Sequence, residues 1–522
     1  MRGASATSPP TLRISDLLWH NVRAYPDKPA LCIDGKTRTY GELARRVEIV
    51  SRELGKIVGP GDRVGLWFHN CFAWVECFLA LNALGAVAVP INTRLTSTEL
   101  KQIFEIAQLH CLVTTESYRN RDYAEEARAG LAGAGGHLHI WEADDELPPG
   151  GWRKHELGSP AQRSRVGTPD DVFCIQYTSG TTSLPKGVML SNAAYIATAS
   201  HVARCQRLTP SSRFISAGPF FHCSGSMHAL TVCMVAGCTL FSMSVWDAER
   251  FVDEVARHRC DVSHMVYYRD VLALGAERVR ASLASMQVTH DLGTPDFLRR
   301  IHDELGIPGI SNIYGMTETA GQFTMWFPDD PLALRLAGNG RVQPGNHVRV
   351  ADPDTGDEVP QGAVGEIQMR GITLSGGYFG NAAAQAEAFT ADGWFRSGDL
   401  GRIGDEHELI YVARLKEMIR VGGENLAPAE VEQALRDICG TSSVCVLGIP
   451  DARLDEVPAA VLVAPATQDW PEAMAQLRGR LAGFKMPRAI YLTDELPITA
   501  TNRVQRAVLR TWIEQEKLQR VV

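Results

Sequence analysis

The chain has 522 residues, of which 45% are hydrophobic and 21% charged, and a formal net charge of −8. That length exceeds one typical domain and predicts at least two lobes around a large core. The acidic balance gives no reason to expect nucleic acid or an anionic membrane as partner.

In chain order, MRGASATSPP carries no apolar leader pattern, and LQRVV at the other end is no peroxisomal address, so the cytoplasm is the expected location. Twelve cysteines without a C-x-x-C pair read as buried small hydrophobes in a reducing compartment. The most apolar stretch, Cys71 to Ile91, is interrupted by Glu76, Asn82 and Pro90, and predicts a buried helix feeding a strand, not a membrane span. Gly130–Gly136 and Pro148–Gly151 read as surface loops. The segment Asp171–Asn192, DVFCIQYTSGTTSLPKGVMLSN, is the most informative. Val172, Cys174 and Gln176 would face one way and Phe173, Ile175 and Tyr177 the other, as in a strand with two unlike faces. Thr178, Ser179, Gly180, Thr181 and Thr182 then offer five backbone N–H groups and four hydroxyls, enough to wrap polyphosphate oxygens, and Lys186 adds a positive point charge. The Walker A spacing is absent. A helix is expected from Ser191 or Asn192 through AAYIATASHVARCQ.

Helical and strand patterns alternate to about residue 330, which predicts α/β layers. From Asn339 to Val412 short β-type runs such as VGEIQMR and ELIYVAR predict a small barrel or distorted sheet. After Arg414 a compact α+β unit is expected, with EVEQALRDI as helix and SVCVLGI and AAVLVAP as strands.

The phosphate-type loop resembles that of the acyl-adenylate-forming superfamily, TSGTTGxPKG, with Ser183 in place of glycine. Other landmarks follow in the family's order: YGEL at Tyr40–Leu43, LGAVAVPINTRL at Leu84–Leu95, PFFHCSG at Pro219–Gly225, YGMTE at Tyr314–Glu318, DGWFRSGDLG at Asp392–Gly401, and RLKEMIRVGGENLAPAEVE at Arg414–Glu432. The resemblance implies a large multi-lobed domain over 1–414, a smaller mobile domain over 415–522, and two half-reactions. ATP and a carboxylate give acyl-AMP and pyrophosphate; the CoA thiol then displaces AMP. It also implies Mg²⁺ bound with ATP.

By the same resemblance, Thr178–Thr182 and Lys186 hold the β- and γ-phosphates, Glu318 helps hold the metal, and Thr317 reaches the α-phosphate. Tyr314 stacks on adenine beside Gly293, Thr294, Pro295 and Asn312. Asp399, assisted by Arg414, accepts from the ribose hydroxyls. His222 positions the acyl group at a pocket that includes Met227, Gly315 and Met316. Lys416 is the hinge, and Arg420, Gly422 and Gly423 shape the CoA tunnel. Met227, Met265, Val266 and Met316 suggest an apolar, adaptable pocket wall suited to a bulky hydrophobic acid. Pro219–Gly225 lacks the aspartate that would hold an amino-acid amine.

The family's small domain usually carries P-x-T-x-x-G-K, whose lysine bridges carboxylate and α-phosphate during adenylation. Here the segment is PITATNRVQR, with Asn502 for glycine and Arg503 for lysine. Arginine keeps the charge but is longer, planar and forked. The chain has 43 arginines and 9 lysines, so a general preference for arginine competes as an explanation, yet Lys186, Lys416 and Lys485 stand where the family has lysine. Three readings stay open: thioesterification of a supplied acyl-adenylate, with a separate adenylating enzyme as partner; a complete ATP-dependent acyl-CoA ligase; and a nucleotide- or acyl-AMP-binding protein without turnover.

Overall fold

The computed structural model describes residues 12–132, 137–141, 152–156, 172–178, 185–264, 267–421, 424–426, 428–441, 443–451, 453–463, 468–498 and 504–522. Among them, two seven-stranded sheets form the first part of the chain. One orders its strands Gly309–Asn312, Val288–Asp291, Val262–Ser263, Arg213–Ser216, Thr239–Ser242, Pro29–Ile33 and Lys36–Thr39, parallel except for the last hairpin. The other runs Trp152–Glu156, His137–Trp141, Cys111–Thr115, Arg63–Trp67, Val87–Pro90, Val172–Thr178 and Lys186–Ser191, parallel inside with an antiparallel hairpin at each edge.

The helices between them follow from local sequence. Tyr40–Leu54 starts at a capping box: Thr39 accepts from the Glu42 amide, and Glu42 accepts from the Thr39 amide at 2.8 Å. Ser97–Ile106 repeats the device with Thr96 and Glu99. The expected buried helix is Phe72–Leu84, buried from Phe72 through Asn82; Gly85 ends it at φ +70°, and the strand Val87–Pro90 follows. A helix apolar on every face needs cover on every face, and its side chains join one core with both sheets. Its one carboxylate, Glu76, is fully buried and pairs with Arg38 and Arg46, each at 3.2 Å. Glu76→Gln removes the buried charge that both guanidinium groups share, so urea unfolding should show a loss of about 3 kcal/mol. A loss under about 1 kcal/mol would mean the arginines reach water instead.

The short runs after Asn339 form a four-stranded antiparallel meander, Asn346–Ala351, Gly365–Gly371, Phe395–Ile403 and Leu409–Arg414, with register shifts at Glu366/Gln368 and Leu400/Gly401. From Ile419 onward a six-stranded mixed sheet carries the helices Pro428–Cys439, Trp470–Arg480 and Arg506–Glu514. The expected helix EVEQALRDI lies within Pro428–Cys439, and the expected strands SVCVLGI and AAVLVAP overlap Val444–Asp451 and Asp455–Leu462, with Ala464 and Pro465 outside the described residues. All twelve cysteines are free thiols, and all but Cys71 are buried. No described helix is long and apolar enough to cross a membrane.

Candidate active site

The phosphate-type segment differs from expectation in two respects. Between loop and helix lies a second strand, Lys186–Ser191, antiparallel to Val172–Thr178 with Thr178 opposite Lys186. KGVMLS pairs this way because Val188 and Leu190 enter the main core while Met189 packs on the other side of the sheet. The helix then begins where expected: Ser191 accepts the Ala194 amide at 3.0 Å and caps Asn192–Cys205. A register shift between Val172 and Cys174 turns Phe173 to the same core as Cys174, so alternation holds only after that bulge. Ser179, Gly180, Thr181 and Thr182 lie outside the described residues.

Lys186 sits with its Nζ 5.1 Å from the ring centroid of Tyr378. The Tyr378 hydroxyl donates to Glu318 Oε1 at 2.7 Å. Tyr378 reaches this point because Gly376–Phe379 pairs along the hairpin edge: Gly376 N to Met189 O, Met189 N to Gly377 O and Phe379 N to Gly187 O, all at 2.8–2.9 Å. Burial and the neighbouring Glu318 both push the Tyr378 phenol up, so it stays a donor.

Glu318 stands in the short turn Thr317–Thr319, half-buried beside a buried Thr317. The same turn packs on the aromatic-His segment. Gly321, at φ +92°, has room for no side chain: a Cβ there would lie 2.8 Å from His228 Nε2 and 3.0 Å from Met227 Cε. A Cβ on Gly315 would lie 2.4 Å from Gln322 Cα. Met227 is fully buried, while Gly315 and Met316 are half-buried. His222 Nδ1 accepts the Ser224 amide at 3.2 Å, which leaves the neutral ring its proton on Nε2. Asn70 fixes this segment, accepting from Phe220 N at 2.7 Å and donating to Gly218 O at 3.0 Å.

A second cluster joins strand ends from both sheet types. Tyr314 donates its hydroxyl to Asp399 Oδ2 at 2.8 Å, and Arg414 Nε lies 3.0 Å from Asp399 Oδ1. Asp399 is 4% exposed. Its register partner across the meander is Arg414 itself. Burial, then the adjacent Asp399 charge, raises the Tyr314 phenol far above its ordinary range. Its ring stacks on Tyr411 at 6.2 Å. Nearby, Asn312 Nδ2 donates to Gly293 O at 3.0 Å, and Thr294 caps the helix that Pro295 opens.

Lys416 is exposed in the turn Leu415–Glu417. Its neighbour Glu417 pairs with Arg506 at 2.8 Å, and Arg506 also holds Glu432 at 2.8 Å. Lys485 pairs with Glu430 at 2.6 Å. Arg420 stands on the strand Ile419–Val421. Met265, Val266, Gly422, Gly423, Asn502 and Arg503 lie outside the described residues; beside the last two, Ile498 and Val504 form an antiparallel bridge.

Residues 18–379 match the family model described as AMP-binding enzyme, and residues 430–503 match that of the AMP-binding enzyme C-terminal domain. The chain belongs to the AMP-binding enzyme family. It is 33% identical over 505 residues to the 3-[(3aS,4S,7aS)-7a-methyl-1,5-dioxo-octahydro-1H-inden-4-yl]propanoyl:CoA ligase of Mycobacterium tuberculosis, covering 94% of this chain and 96% of that one. It is also 33% identical over 498 residues to a feruloyl-CoA synthase of Amycolatopsis sp, with 94% and 96% covered. Among solved structures, ATP-bound MatB from Rhodopseudomonas palustris superposes with a TM-score of 0.84 at 28% identity, over 96% of this chain and 99% of that one. The two lobes, large and small, are those of adenylate-forming enzymes.

In this AMP-binding enzyme, sequence reasoning missed Tyr378, Asn70 and Tyr411. No motif spacing ties Tyr378 to Lys186; only an aromatic set among glycines in SGGYFG marked it. It also missed His290, one residue before the C-terminal end of the parallel strand Val288–Asp291, the end at which open α/β sheets bind ligands. That position was the available signal.

Proposed function

We propose that this chain is an acyl-CoA ligase that joins a hydrophobic carboxylic acid to CoA through an acyl-adenylate, and that adenylation is its weak half. The observation that carries the reading is the buried Asp399 carboxylate held by Tyr314 and Arg414. A buried carboxylate with fixed orientation beside an aromatic pair suits a nucleoside's ribose hydroxyls and base. The CoA ligase names of the relatives support the same chemistry.

In the first half-reaction a carboxylate oxygen attacks the α-phosphorus of ATP and pyrophosphate leaves. Lys186 and the Thr178–Thr182 loop hold the β- and γ-phosphates, and Thr317 meets the α-phosphate. One half-buried carboxylate, Glu318, fits Mg²⁺, a hard ion that takes one or two protein carboxylates and completes its shell with phosphate oxygens and water. Consistent with that division, no group of three or more His, Cys, Asp or Glu among the described residues forms a protein-only metal cage. Mg²⁺, when bound with ATP, neutralises phosphate charge. Tyr378 orients Glu318 and flanks Lys186, so it acts as a positioning residue.

In the second half-reaction the CoA sulfur attacks the acyl carbon, the acyl–phosphate bond breaks and AMP leaves; the thiol proton goes to solvent. His222 positions the acyl group. The division falls at residues 1–414 and 415–522, with Lys416 as hinge and Arg420, Gly422 and Gly423 over the pantetheine arm. Arg503 stands in place of the adenylation lysine, which slows only the first half-reaction. The adenylate then comes from this chain's own slow step or from a separate adenylating enzyme.

Tyr378→Phe removes one hydrogen bond to Glu318 and keeps the ring beside Lys186. It should slow thioester formation from acid and ATP about tenfold and spare formation from preformed acyl-AMP. Steady-state assays by the two routes check this, and equal slowing by both would remove Tyr378 from the phosphate end. The reading itself is tested by offering CoA with either acid and ATP or synthetic acyl-AMP. Thioester from neither, across a panel of acids, would leave only nucleotide binding.

A further inference from the structure

His228, His264 and His290 form one buried row, with exposures of 4%, 0% and 1%. The rings of His228 and His264 stack with centroids 4.1 Å apart and planes at 16°, and His290 lies 6.0 Å beyond His264. The three come from separate elements: the helical segment Ser226–Thr231, the residue after the strand Val262–Ser263, and the strand Val288–Asp291. His290 Nδ1 is 2.7 Å from Ser311 Oγ, and the Gly321 backbone hydrogen-bonds His228. That leaves His228 Nδ1, both ring nitrogens of His264 and His290 Nε2 with no partner among the described residues.

Such a row is costly as packing, because a buried donor or acceptor without a partner forfeits its hydrogen bond to water. Phenylalanine or leucine would fill the space without that cost. The row also lies beside the proposed acyl pocket: His228 follows Met227, Gly321 packs on both, and the two other histidines stand at the C-terminal side of parallel strands, His264 just after Val262–Ser263 and His290 one residue before the end of Val288–Asp291. Burial lowers all three rings, with His228 and His290 near pKa 3, and the rings add mutual repulsion. Each is therefore neutral, with one N–H to donate and one bare nitrogen to accept. Buried neutral imidazoles suit an uncharged polar group; a second carboxylate would arrive with its own desolvation cost, and the cation whose charge reaches His290, Arg335, is already held by the Asp330, Ile310 and Pro308 carbonyls. A metal is no answer, since the described residues hold no three-ligand group.

We propose that the row His228–His264–His290 receives the far end of the acid, and that the substrate is a hydrophobic carboxylic acid with a neutral carbonyl or hydroxyl group remote from its carboxyl. This rests on the acyl-CoA ligase reading and narrows it. It also amends the expectation of an apolar, adaptable pocket wall.

The test compares matched acids: 4-(4-oxocyclohexyl)butanoate against 4-cyclohexylbutanoate, and 3-(4-hydroxyphenyl)propanoate against 3-phenylpropanoate, with 3-(4-carboxyphenyl)propanoate as the charged control. Each is supplied with ATP and, separately, as its synthetic adenylate, so a slow first step cannot hide selectivity. At least one oxygenated acid should exceed its deoxy partner in kcat/KM by about 10- to 100-fold. His264→Phe should bring that ratio toward one, with His290→Phe as the second variant if thermal melting shows the first to be unfolded. A wild-type ratio near one, preference for the dicarboxylate, or a ratio unmoved by either folded variant overturns the inference and leaves the ligase reading intact. No thioester from any acid or adenylate overturns the ligase reading, and the inference falls with it.

Discussion

Lys186→Ala is expected to lower thioester formation from acid and ATP by about 10²–10³-fold, the usual cost of losing one preorganised charge donor. Formation from a preformed acyl-AMP should stay within a few-fold of the unaltered protein. The asymmetry follows from the chemistry, because β- and γ-phosphates exist only in the first half-reaction. The structure gives the lysine a fixed place: it heads the strand Lys186–Ser191, and its ammonium lies over the Tyr378 ring. That ring contact contributes about 0.5–1 kcal/mol, so unfolding should change little and the kinetic loss is separable from misfolding. Equal loss by both routes would assign the lysine to folding or to the AMP moiety.

Asp399→Ala should damage both routes, because AMP is present in both. The carboxylate is expected to accept two ribose hydroxyls, and charged hydrogen bonds contribute about 1.5–3 kcal/mol each, so losses on the order of 10²-fold or more are expected by either route. Calorimetry with AMP should show the same weakening. Asp399→Asn keeps an acceptor for the Tyr314 hydroxyl and should retain part of the binding. Stability should fall too, since Tyr314 and the Arg414 head lose a buried partner; the Arg414 side chain is 37% exposed and can turn to water, so about 1–2 kcal/mol is the expected scale. A loss confined to the ATP route would contradict the ribose assignment.

The sequence was most legible where one local rule decides. Ser191 marks a helix start that the structure contains; the capping boxes of Thr39 with Glu42 and Thr96 with Glu99 obey the same local rule and went unread. The apolar run Cys71–Ile91 reads correctly as helix then strand because Gly85 supplies the left-handed end between them. The strand Lys186–Ser191 was missed for the opposite reason. Pro185 and Gly187 read as loop residues, and what makes the segment a strand is pairing with Val172–Thr178 and with Gly376–Phe379 far along the chain.

The site divides in the same way. Tyr314, Asp399 and Glu318 stand in recognisable motifs, and the structure brings Tyr314 and Asp399 into direct contact. Tyr378, Asn70 and His290 carry no motif of their own. They matter through contacts between strands distant in sequence, which spacing cannot reveal. Nor does the Pro219–Gly225 motif disclose that its geometry depends on the Asn70 side chain.

The central claim is that this ligase carries a sound second half-reaction and a weak first one, with Arg503 as the cause. The direct test measures thioester from CoA with either acid and ATP or synthetic acyl-AMP, in the unaltered protein and in the Asn502→Gly, Arg503→Lys double variant. The account predicts faster thioester from acyl-AMP in the unaltered protein, and a rise in pyrophosphate release and ATP-route product in the variant, with the acyl-AMP route unchanged. Equal rates by both routes before any substitution would contradict it and make the chain a conventional ligase in which arginine serves as well as lysine.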